Sequence, residues 1–147
     1  MSSLAEQIAE VVRTALHNTI PAVGTRVYRA LQDAIDRTEC PAIVIESGNE
    51  NTDNAEADGE VEANVLTLSV AIHVAPGTGT VWETAADELV VAAHALIRAA
   101  TYPGMSGPPL RQGRTWEGAS GDGSPGICVL TYRFDYWTNA TDLSTSA

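Results

Sequence analysis

Pro41–Ala75 reads PAIVIESGNENTDNAEADGEVEANVLTLSVAIHVA, and its three parts decide the fold. A short apolar run, Pro41 to Ile45, is a strand that tolerates proline at its first position. A loop carrying Glu46, Glu50, Asp53, Glu56, Asp58 and Glu60 follows. The third part, Val61 to Ala75, alternates at period two. At ~3.3 Å per residue it would span roughly 50 Å, against about 17–20 Å for an ordinary strand. The stretch therefore reads as a β-hairpin with an acidic tip and a second arm that outruns its sheet. Leu66, Leu68, Val70, Ile72 and Val74 share one face, whereas Val61, Ala63 and Val65 fall on the other. The apparent phase switch at Val65-Leu66 predicts a bulge or a change of buried side. Leu66–Val74 is expected to be core strand, and Val61–Val65 a projecting part that buries its apolar side only against a partner.

Outward from the hairpin, two helices are predicted. Ser3-Leu-Ala-Glu6 is a capping box. Behind it Leu4, Ile8, Val11, Val12 and Ala15 form one apolar stripe, giving a helix over about residues 3–19 closed by Pro21. Thr80-Val-Trp-Glu83 reads as a second capping box. Trp82, Ala86, Leu89, Val90, Ala93, Ile97 and Ala100 make the buried stripe of a helix over about residues 81–101. Arg26–Leu31 is a short first strand, and Arg111–Ala119 a weaker one. Ile127–Thr138 closes the fold with Cys128, Leu130, Tyr132, Phe134 and Tyr136 on one face. The predicted class is α+β: a mainly antiparallel mixed sheet of about five strands, two helices packed on one face, and a long projecting β-hairpin. Residues 1–138 are read as a single domain and residues 139–147 as a loose tail.

The N-terminus lacks the basic and apolar regions of a signal peptide, and Leu89–Ile97 is too short to span a bilayer. Two cysteines, Cys40 and Cys128, suit a reducing compartment. The expectation is a soluble intracellular protein. Net charge is −11, every one of the eight basic residues is arginine, and none lies between Arg37 and Arg98. Such a chain lacks the clustered cations that grip a nucleic-acid backbone.

Catalytic chemistry has little to stand on. His17, His73 and His94 occur in no metal-binding spacing, so a zinc site would need His73, His94, Cys40 and Cys128 to meet through tertiary structure. Gly77-Thr-Gly79 before a helix could cradle an anion, but without a third glycine or a P-loop lysine a plain strand-to-helix turn is the favoured reading. Asn51–Glu56 lacks the acid spacing of a calcium loop. No catalytic residue, cofactor or metal is assigned, and no enzyme activity is expected.

Several strings in order resemble one family. Pro41-Ala-Ile-Val-Ile45, the acidic loop and the long arm Val61–Ala75 are followed by Tyr102-Pro-Gly-Met-Ser106, then by Leu130-Thr-Tyr-Arg-Phe-Asp-Tyr136. Over about Leu4–Tyr136 the chain is similar to the tail terminator proteins of long-tailed bacteriophages, of the lambda minor tail protein U type. Gly107–Gly126 and the tail beyond Thr138 depart from the pattern. The resemblance implies a structural virion protein that closes as a hexameric ring on the completed tail tube, stops its polymerisation and offers a head-joining surface. Implied partners are further copies of the chain, the tail tube protein and a head-completion or connector protein. Genomic DNA would pass through the lumen without specific binding, and no membrane is involved. Assembly would take place in the host cytoplasm. Another neck component, such as a tail-completion or head–tail joining protein, is the nearest alternative; a small anion- or ligand-binding domain is a further one. Under the ring reading, the few cations are expected at subunit seams. Interface candidates are Arg29, Arg37, Arg111 and Arg114, the acids Glu46, Asp53, Glu56, Asp58 and Glu60, and the apolar Val61, Ala63 and Val65.

Overall fold

The computed structural model describes residues 1–30, 34–54, 59–118 and 123–147. In chain order the elements are α1 (Leu4–Leu16), β1 (Val27–Arg29), β2 (Ala42–Asn54), β3 (Val61–Val74), α2 (Trp82–Ala99), β4 (Leu110–Gly118), β5 (Gly126–Asn139) and β6 (Asp142–Ser146), with a short 3₁₀ turn at Arg37–Glu39. The fold is α+β. One sheet runs in the order β1-β2-β3-β5-β4, with β6 beside β5; β1 is parallel to β2 and every other pairing is antiparallel.

The two helices cover one face because alternation and helical stripe point to the same place. Leu66, Leu68, Val70, Ile72 and Val74 of β3 and Cys128, Leu130, Tyr132, Phe134 and Tyr136 of β5 are all buried. They meet Leu4, Ile8, Val12 and Leu16 of α1 and Trp82, Ala86, Leu89, Val90, Ala93 and Ile97 of α2 in one cluster. The Ser3 hydroxyl accepts the Glu6 amide at 3.3 Å, the serine half of the expected capping box, while the Glu6 carboxylate is taken by Arg29. Helix α1 stops at Leu16 rather than residue 19. Asn18 takes φ 57°, a left-handed conformation that asparagine tolerates, and donates its N–H to the Gly24 carbonyl at 2.8 Å.

Two close packings fix the rest. Gly118 and Gly126 are register partners on β4 and β5, and the Trp82 indole lies on this paired floor. A Cβ on Gly126 would stand 2.1 Å from the ring, and one on Gly118 2.6 Å. At the other end of α2, Tyr102 is buried, donates its hydroxyl to the Ile97 carbonyl at 2.7 Å and meets Phe134 edge-on. Gly104 follows with φ 73°; its carbonyl accepts the Trp137 N–H at 3.1 Å, and a Cβ there would strike Leu4 at 2.9 Å. The Tyr102–Ser106 string thus ties the end of α2 to β5 and α1.

Five expectations change. The arm Val61–Ala75 has no phase switch: alternate positions from Asn64 to Val74 are all buried, and Asn64 is simply a polar residue in the core phase. The irregularity lies instead in β2, between Ser47 and Glu50, opposite Leu68 and Leu66. Val61–Val65 does not hang alone. It is paired with β2 on one side and with Asp135–Asn139 on the other, so the projection is three strands wide. The acidic loop is shorter than its composition suggests, because Glu46–Asn54 continues β2 by main-chain pairing. Thr80 does not cap α2: Val81 holds that position without a side-chain bond, and the Thr80 carbonyl accepts the Gly123 N–H at 3.2 Å. The tail turns back as β6, and the Gln7 side-chain amide donates to the Ser144 carbonyl at 3.2 Å. No helix among the described residues is long and apolar enough to cross a membrane.

Candidate interaction surface

The end of the sheet remote from β1 carries different chemistry on its two faces. On the helix side the core gives way to polar pairs. Thr52 donates its hydroxyl to the Asn64 side-chain carbonyl at 2.7 Å, and the Asn64 amide donates to the Thr138 hydroxyl at 2.8 Å. Asn64 and Thr138 are both 2 % exposed, so these bonds satisfy groups that would otherwise be costly to bury. The Tyr136 hydroxyl donates to Glu50. Burial first, then the hydrogen bond and charge of Glu50, push the Tyr136 phenol far above its ordinary range. Strands β2, β3 and β5 are thereby locked to one another where few apolar side chains remain.

The opposite face is apolar. Val61, Ala63 and Val65 are half-buried on it, and Trp137 stands directly across from Ala63 with 43 % of its surface exposed. Asp53 and Asp135 pair with Ala63 and Val65 on the two sides, giving the patch an acidic rim. Trp137 was not singled out from the sequence, because its strand neighbours on that face are Asp135 and Asn139. Of the candidate acids, Glu46 and Asp53 lie exposed on β2 and Glu60 is exposed at the start of β3; Glu56 and Asp58 fall outside the described residues.

The arginines are unequal. Arg29 forms a two-pronged contact with Glu6 at 3.0 and 3.1 Å and reaches Glu10 at 2.9 Å, and these partners raise its pKa. Arg37 donates to the Gly123 carbonyl at 3.1 Å. Arg114 pairs with Asp87 at 2.9 Å, donates to Cys128 Sγ at 3.0 Å and stacks over Trp116. Arg111 alone of the four makes no hydrogen bond or ion pair among the described residues, and it is exposed.

His73, His94, Cys40 and Cys128 do not assemble: no group of three or more potential metal ligands occurs among the described residues. His94 Nδ1 lies 2.7 Å from the Tyr132 hydroxyl and the rings stack. The Tyr132 phenol is pushed up to about 12 by burial, against the pull of Arg111 and Arg98. Gly77 and Gly79 have φ 79° and 94°, the ordinary geometry of a tight strand-to-helix turn, with Gly123 packed against it.

Burial also holds both imidazoles below their ordinary value, with Arg111 and Arg98 adding to the effect at His94 and Glu46 opposing it at His73. The unfolded chain therefore takes up more protons than the folded one as pH falls through about 6.5. This contribution is intact above that value and is lost below it. Melting temperature is expected to fall from about pH 7.5 to about pH 5.5, before most carboxylates titrate, and a His73→Gln/His94→Gln variant is expected to show a flatter profile. A wild-type profile flat across that window would contradict the assignment.

Neither the family models nor the curated proteins contain a match to this chain. Among solved structures, the chain is similar to a chain of the virion of a native gene transfer agent particle. The TM-score is 0.58 at 14 % identity, over 94 % of this chain and 100 % of that one. At that identity the likeness is one of fold.

Proposed function

We propose that this protein is a structural component of a phage-like virion, without enzymatic activity, that caps the completed tail tube as a ring, stops its growth and offers the head-joining surface. The observation that carries the reading is the end-to-end likeness of fold to a chain of a virion particle. The Tyr102–Ser106 and Leu130–Tyr136 strings, which carry the resemblance to tail terminators, sit where they anchor α2 and β5. The exposed patch of Val61, Ala63, Val65 and Trp137 suits a protein that works by packing against copies of itself and its neighbours. Copies of the chain, the tube protein and a head connector are its partners. DNA passes through a lumen whose acidic wall does not hold it.

Six copies carrying −11 each repel one another, and seven of the eight arginines already bond within their own chain. Self-association is therefore expected to be weak at low ionic strength and to strengthen as salt rises to about 0.15 M, where the Debye length is ~8 Å. Sedimentation of the purified protein at graded sodium chloride and magnesium concentrations tests this. Rings that dissociate as salt rises would show that attraction between opposite charges dominates instead.

A further inference from the structure

Among the described residues the two outer edges of the sheet are both open, and their net charges are opposite. Strand β1 reaches only Ile43–Ile45 of β2, so Glu46–Asn54 has no strand neighbour on that side among the described residues. Strand β4 is a nine-residue edge, Leu110–Gly118, with Leu110 and Trp116 each about half exposed. Edges of this length are normally shortened, charged or covered, because their free N–H and C=O groups recruit another strand. Here the blunting is one irregularity in each, at Arg111/Gly113 on β4 and Ser47/Glu50 on β2, and charges that differ between the two edges. The β2 edge bears Glu46, Glu50 and Asp53 and no cation, whereas β4 bears Arg111, Arg114, which is paired with Asp87, and one acid, Glu117.

We infer that the β4 edge of one copy pairs with the β2 edge of the next, continuing the sheet across the subunit seam, with Arg111 on the same sheet face as the neighbour's Glu50. The two edges lie on opposite sides of one sheet, so the contact is head-to-tail and heterologous, the kind that closes into a ring when its rotation allows. Main-chain bonds supply the register, and the guanidinium of Arg111 meets the carboxylate of Glu50, which accepts the Tyr136 hydroxyl but has no cation of its own among the described residues. Leu110 and Trp116 are covered by the same contact. The inference rests on the ring reading above and adds which surfaces form the seam.

The test is assembly of three kinds of variant, scored by mass photometry and by electron microscopy, free and on purified tail tubes. Arg111→Glu is expected to raise the concentration for half-assembly at least tenfold with the melting temperature unchanged, and Ser47→Arg added to it, an exposed position on the same sheet face, is expected to recover assembly. Proline is placed in turn at Thr115 and Trp116. N–H directions alternate along a strand, so one of the two removes a donor that points away from β5 and leaves the fold intact. That variant, identified by its unchanged melt, is expected to stay monomeric. Wild-type rings matched by equally good rings of Arg111→Glu, or of the folded proline variant, would overturn the seam while leaving the ring reading standing. Absence of wild-type rings both free and on tubes would overturn both.

Discussion

Replacing Gly126 by alanine is expected to cost this protein about 3 kcal/mol, at the upper end of the usual overpacking range. For a chain of this size that is roughly a 6–12 °C drop in melting temperature. The added methyl would stand 2.1 Å from the Trp82 ring, which is 3 % exposed and cannot swing into solvent. Its neighbour across the ladder, Gly118, leaves no room on the other side, at 2.6 Å. Gly113 on β4, where a Cβ meets nothing within 4 Å, is the control and is expected to accept alanine with little change. A second substitution, Trp82→Leu, is expected to make Gly126→Ala cheaper than in the wild-type background, because the two changes share one space. Additive losses, or an unaltered melt for Gly126→Ala, would show that the indole does not rest on this floor.

The second large effect concerns assembly and not stability. Trp137 is exposed in the isolated chain and lies across from Ala63, with Val61 and Val65 at the diagonals. Trp137→Glu therefore removes little from the folded monomer, less than about 1 kcal/mol by the usual behaviour of surface positions. At a seam or against the tube, a buried tryptophan is commonly worth 2 kcal/mol or more, roughly thirtyfold in affinity per contact. Trp137→Glu is expected to fold normally yet fail to enter rings or tail ends. Val91→Glu, at a 65 % exposed position of α2, is expected to behave as wild type. Equal incorporation of both variants would remove the patch from the account.

The contrast between these two positions marks what a sequence discloses. Alternation in Leu66–Val74 and Cys128–Tyr136 announced the core faces, and the spacing of Leu4, Ile8 and Val12 announced α1, because burial leaves a periodic trace. The distal part of β2 left none: Glu46–Asn54 is held by main-chain pairing to β3, to which polar side chains contribute no pattern. β6 is invisible for the same reason. Asn64 shows the converse failure. A polar residue in the core phase looked like a change of phase, whereas Thr52 and Thr138, each far away in sequence, supply its bonds. Thr80 had the spacing of a capping box, but α2 begins one residue later, so its hydroxyl is out of position. Trp137 needed the sheet order, because period two assigns a face but not the neighbouring strand. The same holds for the arginines. Composition made all of them equivalent, and only tertiary structure separates Arg29, held by Glu6 and Glu10, from the uncommitted Arg111.

Tail tubes polymerising in vitro give the most direct test of the ring-cap reading. Purified protein added at substoichiometric amounts is expected to stop elongation, and averaged images of tube ends should show one sixfold ring at a single end. Tubes that keep growing at an undiminished rate, or protein distributed along the tube wall with bare ends, would contradict it.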